Sequence, residues 1–140
     1  MEYDANNPFA RILRGELPCV KVYEDEATLA IMDIMPQAPG HMLVLPKEPA
    51  VELFGLSDDS AAACIRTTKR VATAVKAAMG VPGIMVAQFN GSAAGQTVPH
   101  VHFHIVPREQ AAALRPHAAA QADIEQLREI AARIVAALPA

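Results

Sequence analysis

Three features of this chain predict an α+β fold with a mostly antiparallel sheet. Short runs of β-branched and aliphatic residues recur between clusters of turn formers. Two longer stretches carry apolar residues at helical spacing. The elements follow in the order helix, strands, helix, strands, helix.

Residues 9–14 read as a short helical segment, closed by Gly15 and followed by Pro18. Residues 20–23 and 28–32 are two strands joined by the acidic turn Glu24-Asp25-Glu26. Pro36, Pro39 and Gly40 forbid regular structure across residues 33–40, and a strand resumes over 41–45 before Pro46 stops it. Ser57 is an N-cap, with Asp58 and Asp59 at the positive end of the helix dipole. That helix carries Cys64, Val71, Val75 and Met79 at helical spacing and ends at Gly80. Residues 83–89 form a further strand, and 90–99 a loop of small residues. After Pro107 an alanine-rich stretch leads to a last helix over about 123–138, with Ile124, Leu127, Ile130, Ile134 and Leu138 as its packing stripe. No repeat and no linker divides the chain, so residues 1–140 read as a single domain ending in that helix.

Hydrophobic residues make up 52% of the chain, much of it alanine; with 4% aromatics and no tryptophan, the core must rest on Ile, Val, Leu and Met. Twelve basic residues against fifteen acidic ones give a net charge of −3 and no basic face, which argues against nucleic acid as partner. Cys19 and Cys64 match no zinc or redox spacing and read as reduced thiols of a cytoplasmic protein. The acidic start Met1-Glu2-Tyr3-Asp4 lacks an apolar segment, and no run approaches the roughly 18 apolar residues of a membrane span. Neither export nor membrane association is expected.

The chemistry concentrates in His100, His102 and His104, interleaved with Val101, Phe103 and Ile105. Read as a strand, this run puts the three imidazoles on one face about 6.5 Å apart, with the apolar residues facing a core. By themselves the histidines fit a metal site, nucleophilic or proton-transfer work, or a solvated strand face. The preceding loop, residues 91–99, is built of Gly91, Ser92, Ala93, Ala94 and Gly95 before Gln96 and Thr97. Small residues let backbone N–H groups approach an anion, and Gln96 and Thr97 add side-chain donors. An anion-holding loop leading into a histidine row reads as a phosphate site with a nitrogen nucleophile above it. Lone candidates elsewhere, His117, Arg108 and Arg115, read as solvated.

Together with Asp33-Ile34 and Gly40-His41, the segment Ala94-Gly95-Gln96-Thr97-Val98-Pro99-His100-Val101-His102-Phe103-His104-Ile105-Val106 resembles the histidine triad (HIT) family of nucleotide-binding proteins, a likeness running from about Phe9 to Arg108. The resemblance implies a HIT-like fold: a five-stranded antiparallel sheet with two main helices, plus the C-terminal helix. It also implies a homodimer that joins two sheets, with a nucleotide site in each protomer. The implied activity is that of a purine nucleoside phosphoramidase or related nucleotide hydrolase. His102 would attack the α-phosphorus, and water would release a nucleoside monophosphate from the nucleotidyl-histidine. His104 would donate to the phosphate, His100 and His41 would support the histidine network, and Thr97 would contact the phosphate or assist the leaving group. Asp33 matches the carboxylate that receives the ribose hydroxyls. Phe9, Ile12, Ile31 and Ile34 match the apolar residues around the purine of an AMP or GMP conjugate.

This chain departs from the family in two places. Phe89 stands where relatives carry Asn or Gln, so one polar contact to the nucleotide is lost or passes to Asn90. Asn7, Ala10 and Pro49 stand where many bacterial members carry zinc ligands, so no metal and no cofactor are expected. Three other readings are a dinucleoside polyphosphate hydrolase, a nucleotide-binding regulatory protein with negligible turnover, and a metalloprotein using the triad as ligands.

Overall fold

A computed structural model describes residues 2–110, 114 and 120–140; Arg115 and His117 lie outside the described residues. The chain forms α1 (Pro8–Leu13), β1 (Lys21–Glu24), β2 (Thr28–Met32), β3 (Met42–Pro46), α2 (Asp58–Met79), β4 (Gly83–Gln88), β5 (Phe103–Arg108) and α3 (Ile124–Ala137). The strands make one five-stranded sheet in the order β1-β2-β3-β5-β4, antiparallel at every pairing. The α+β class and the antiparallel sheet expected from the sequence are therefore the observed architecture.

Local chemistry explains the boundaries. Asn7 caps α1 by accepting from the backbone N–H groups of Phe9 and Ala10, and Pro8 occupies the first turn, where its missing N–H costs nothing. Asp25 closes the β1–β2 turn by accepting from the N–H groups of Ala27 and Thr28 and from the Thr28 hydroxyl. Ser57 caps α2 through the Ser60 N–H, an interaction worth about 1 kcal/mol. At the other end Gly80 takes φ 63°, a left-handed cap that a residue with a Cβ adopts only with strain.

Strands β2 and β3 are buried on both faces. Ala30, Met32, Met42 and Val44 join the large cluster under α2 and α3, whereas Leu29, Ile31, Leu43 and Leu45 pack with Phe9 of α1 on the other side. Double burial is why these strands read as continuous apolar runs rather than alternating ones. Leu127, Ile130, Ala131 and Ile134 of α3 complete the first cluster. Cys64 is buried there, and burial, reinforced by Asp25 and Glu48, pushes its thiol up to about 12, so it serves as a packing group. No helix among the described residues is long and apolar enough to cross a membrane.

One element differs from the sequence expectation. The ladder of β5 begins at Phe103, so His100 and His102 precede the strand and only His104 lies in it. The Pro46 carbonyl, at the end of β3, accepts from the His100 imidazole at 2.8 Å, and Val101 N–H donates to the Ala50 carbonyl at 2.9 Å. With those groups engaged elsewhere, the ladder has nothing to extend along. The alternation nevertheless persists: Val101, Phe103 and Ile105 belong to the cluster beneath α2, and the ring of Phe9, on the other face of the sheet, meets both His100 and His102.

Candidate active site

A cavity of about 370 Å³ opens between α1, the end of β2 and the start of β5. Its size suits a small organic ligand. Phe9 and Ile12 of α1 and Ile31 of β2 form apolar walls, with Asp33 and Ile34 at the rim beyond β2. Thr97, His102 and His104 form the reactive wall. Sequence reasoning named all of these. It missed Leu43, which follows from strand alternation opposite Ile31, and Pro18, Cys19, Met35 and Val98, for which no local signal exists. A larger hollow of about 570 Å³ lies between the β1–β2 turn and α2 and is lined by Arg66, Lys69 and Arg70; it contains none of the predicted residues.

Hydrogen bonds assign each ring nitrogen a role. A carbonyl only accepts, so the 2.6 Å contact between His102 Nδ1 and the His100 carbonyl places the proton on Nδ1 and the lone pair on Nε2. The Gln37 N–H donates to His41 Nδ1 at 3.0 Å, which leaves the hydrogen of neutral His41 on Nε2. That hydrogen faces His104 Nδ1 at 3.0 Å and Asp33 Oδ2 at 3.4 Å. Accepting it at Nδ1 makes His104 a donor through Nε2. A backbone amide thus starts a relay that ends at the cavity wall.

His100 is fully buried and outside the cavity wall. Its Nε2 donates to the Pro46 carbonyl, and its Nδ1 receives the Tyr3 hydroxyl at 2.6 Å. Burial lowers its pKa below 6.5, the Pro46 carbonyl opposes the shift, and the neighbouring His102 adds to it, so His100 is held neutral. Phe9 packs edge-on to His102, with ring centroids 4.9 Å apart. His104 lies between the His41, His102 and Phe89 rings, with centroids 5.2, 4.9 and 5.3 Å away.

Asn90, Gly95 and Gln96 do not line the cavity. Asn90 Oδ1 accepts from Leu53 N–H at 2.7 Å, and its amide exchanges hydrogen bonds with Gln88. Gln96 is buried; its oxygen accepts from Gly91 N–H and its nitrogen donates to the Val51 and Val98 carbonyls. The N–H groups of Ala94, Gly95 and Gln96 turn inward to carbonyls of Gly91 and Ser92. These residues shape the loop that presents Thr97.

Asp33, His41 and His104 bring one oxygen and two ring nitrogens within 4.8 Å of one another, a donor set of the kind zinc accepts. The Gln37 amide decides between the readings. It occupies the Nδ1 lone pair of His41, so Nε2 keeps its hydrogen and offers no lone pair to a metal. Where the resemblance noted in the sequence would place a structural zinc, the residues do not fit either: Asn7 spends its side chain capping α1, while the side chains of Ala10 and Pro49 carry no donor atom.

Residues 14–111 match the family model described as the HIT domain. The chain is 44% identical over 100 residues to the adenosine 5'-monophosphoramidase hnt1 of Schizosaccharomyces pombe, which covers 71% of this chain and 72% of that protein. The structure of a Hit-like protein from Bartonella henselae superposes with a TM-score of 0.92 at 45% identity, covering 98% of this chain and all of the other. A Zn-bound histidine triad family protein from Mycobacterium smegmatis gives 0.81 at 34% identity, over 92% of this chain and 90% of that one. With the HIT domain model matched over most of its length and relatives at 44–45% identity, the chain belongs to the histidine triad family.

Proposed function

We propose that this protein hydrolyses purine nucleotide conjugates, nucleoside phosphoramidates foremost, through a covalent intermediate on His102. The observation that carries the reading is the orientation of that imidazole: its proton is held by the His100 carbonyl at 2.6 Å on the wall of an apolar cavity of nucleoside size. The likeness to a phosphoramidase supports the same reaction class.

In the first step the Nε2 lone pair of His102 forms a bond to the α-phosphorus as the bond from phosphorus to the leaving nitrogen breaks. The positive charge gained by the ring is spread toward the His100 carbonyl through Nδ1–H. His104, a donor through Nε2, stabilises the phosphoryl oxygens, and the Thr97 hydroxyl on the cavity wall relays a proton from solvent water to the departing amine. Water then cleaves the phosphorus–histidine bond, releasing a nucleoside monophosphate and restoring neutral His102. Asp33 receives the ribose hydroxyls, and Phe9, Ile12, Ile31 and Ile34 hold the base. Asn90, Gly95 and Gln96 serve by bracing the phosphate loop, and His41 and His100 by fixing their neighbours' tautomers.

The reaction needs no metal or cofactor. The chain acts as one cytoplasmic domain that pairs as a homodimer, for which β4, an edge strand with Val86 exposed, offers a surface. The test is rapid mixing with adenosine phosphoramidate labelled at phosphorus, quenched in alkali to preserve the phosphorus–nitrogen bond of the nucleotidyl-histidine. Label should appear on the peptide containing residue 102. Hydrolysis that proceeds with no labelled protein would overturn the mechanism.

A further inference from the structure

Residues 33–40 do two jobs at the pocket. Ile34 and Met35 line the cavity beside Asp33, and the Gln37 amide sets the tautomer of His41. The loop lies outside the sheet ladder, so a few individual ties must hold it. Asp33 N–H donates to the His41 carbonyl at 3.0 Å, and Met35 N–H to Asp33 Oδ1 at 2.8 Å. At the far end Gly40, with φ 92°, lies so close to Met79 and Pro107 that a Cβ would fall 2.9 Å from the Met79 side chain.

The tie at Ile34 comes from a remote part of the chain. Its carbonyl accepts the Ala122 N–H at 2.9 Å. Ala122 directly precedes Asp123, the N-cap of α3. That helix is fixed to the body of the protein by Leu127, Ile130 and Ile134 in the core. Arg133 also donates to the Ala78 carbonyl at 2.9 Å, and Arg70 to the Pro139 carbonyl at 3.0 Å. The match to the family model ends at residue 111, so Ala122 and α3 lie beyond the residues it covers.

We infer that α3 is a positioning element for the nucleotide pocket. Through the Ala122 N–H it sets the Ile34–Met35 wall and, three residues beyond Ile34, the Gln37 amide that orients His41. The ligand assumed here rests on the nucleotide reading above; the geometry does not.

Ala122→Pro removes this donor and lies outside the helix, so the fold should persist. Binding of AMP, measured calorimetrically, should weaken about tenfold, equivalent to about 1.4 kcal/mol. For phosphoramidate turnover, KM should rise by a similar factor with kcat changed less than threefold, a split that general destabilisation does not produce. Asp123→Ala, which loosens the first turn of α3 while keeping the Ala122 amide, should give a smaller rise in the same direction. Val135→Ala, on the exposed side of α3, should match wild type. Unchanged AMP affinity in a folded Ala122→Pro protein would overturn the inference. If the wild type binds no AMP, the nucleotide reading fails, and hydrogen exchange at Met35 and Gln37 decides the brace alone. Faster exchange there in Ala122→Pro supports it, and equal exchange refutes it.

Discussion

The two sides of residues 100–105 are equally buried and chemically opposite. Toward α2, Val101 and Ile105 are fully enclosed in an apolar cluster. Toward α1, His100, His102 and His104 are enclosed just as tightly, and each commits at least one ring nitrogen to a hydrogen bond: His100 with Pro46 and Tyr3, His102 Nδ1 with the His100 carbonyl, and His104 Nδ1 with His41. The apolar side needs only volume, which neighbours of many kinds can supply. The histidine side needs donors and acceptors at set places, because a buried polar group left unmatched costs about 1–3 kcal/mol. Stability should therefore respond to one side and chemistry to the other.

The largest effect should come from His102→Ala, with turnover of an adenosine phosphoramidate falling by roughly three orders of magnitude or more. Near wild-type turnover would dissolve the contrast. Its counterpart, Ile105→Ala, should cost about 3 kcal/mol in denaturant unfolding while the folded fraction keeps its kcat/KM. Thr97→Val should slow poor leaving groups roughly tenfold and good ones little. Equal slowing across a series of leaving amines would remove the hydroxyl from proton transfer.

Smaller effects test the neutral histidine beneath the site. Tyr3→Phe removes the hydroxyl donor to His100 and should cost about 1 kcal/mol of stability with little change in kcat. The pH dependence carries a definite sign. Folded His100 holds a proton less readily than an unfolded imidazole at 6.5, so below about that pH the unfolded chain takes up the extra proton. The stability that this residue contributes is complete above pH 6.5 and erodes as the pH falls below it. Melting temperatures measured from pH 7.5 down to 5.5 check this. A His100 contribution that grows toward pH 5.5 would contradict the buried, neutral state.

Much of this could be read along the chain. Aliphatic runs between turn formers located the strands, alternation along the histidine run assigned Val101 and Phe103 to the core, and Ser57 and Gly80 bounded α2 by their capping chemistry. Thr97, Asp33 and the apolar residues Phe9, Ile12, Ile31 and Ile34 were legible through the likeness to a known family, and they converge on one cavity. Asn90 and Gln96 were not legible in their actual use. Residue type marks both as donors suited to a ligand, and the fold spends their amides on Leu53, Gln88, Gly91, Val51 and Val98. The strand boundary at Phe103 was also hidden, because it depends on where the Pro46 carbonyl is used.

Residue order by itself determined which groups are present and which face of each strand they take, since side-chain alternation is a local property of extended backbone. For His102 and His41 the nitrogen that carries the proton is set locally, by the His100 carbonyl two residues away and the Gln37 amide four residues away. For His100 and His104 it was decided only in three dimensions, by Pro46 and Tyr3, 54 and 97 residues from His100, and by His41, 63 residues from His104. The hold of Ala122 on Ile34 belongs to the same class. A hydrogen bond acts over about 3 Å, and contacts between distant segments exist only once the chain has closed on itself.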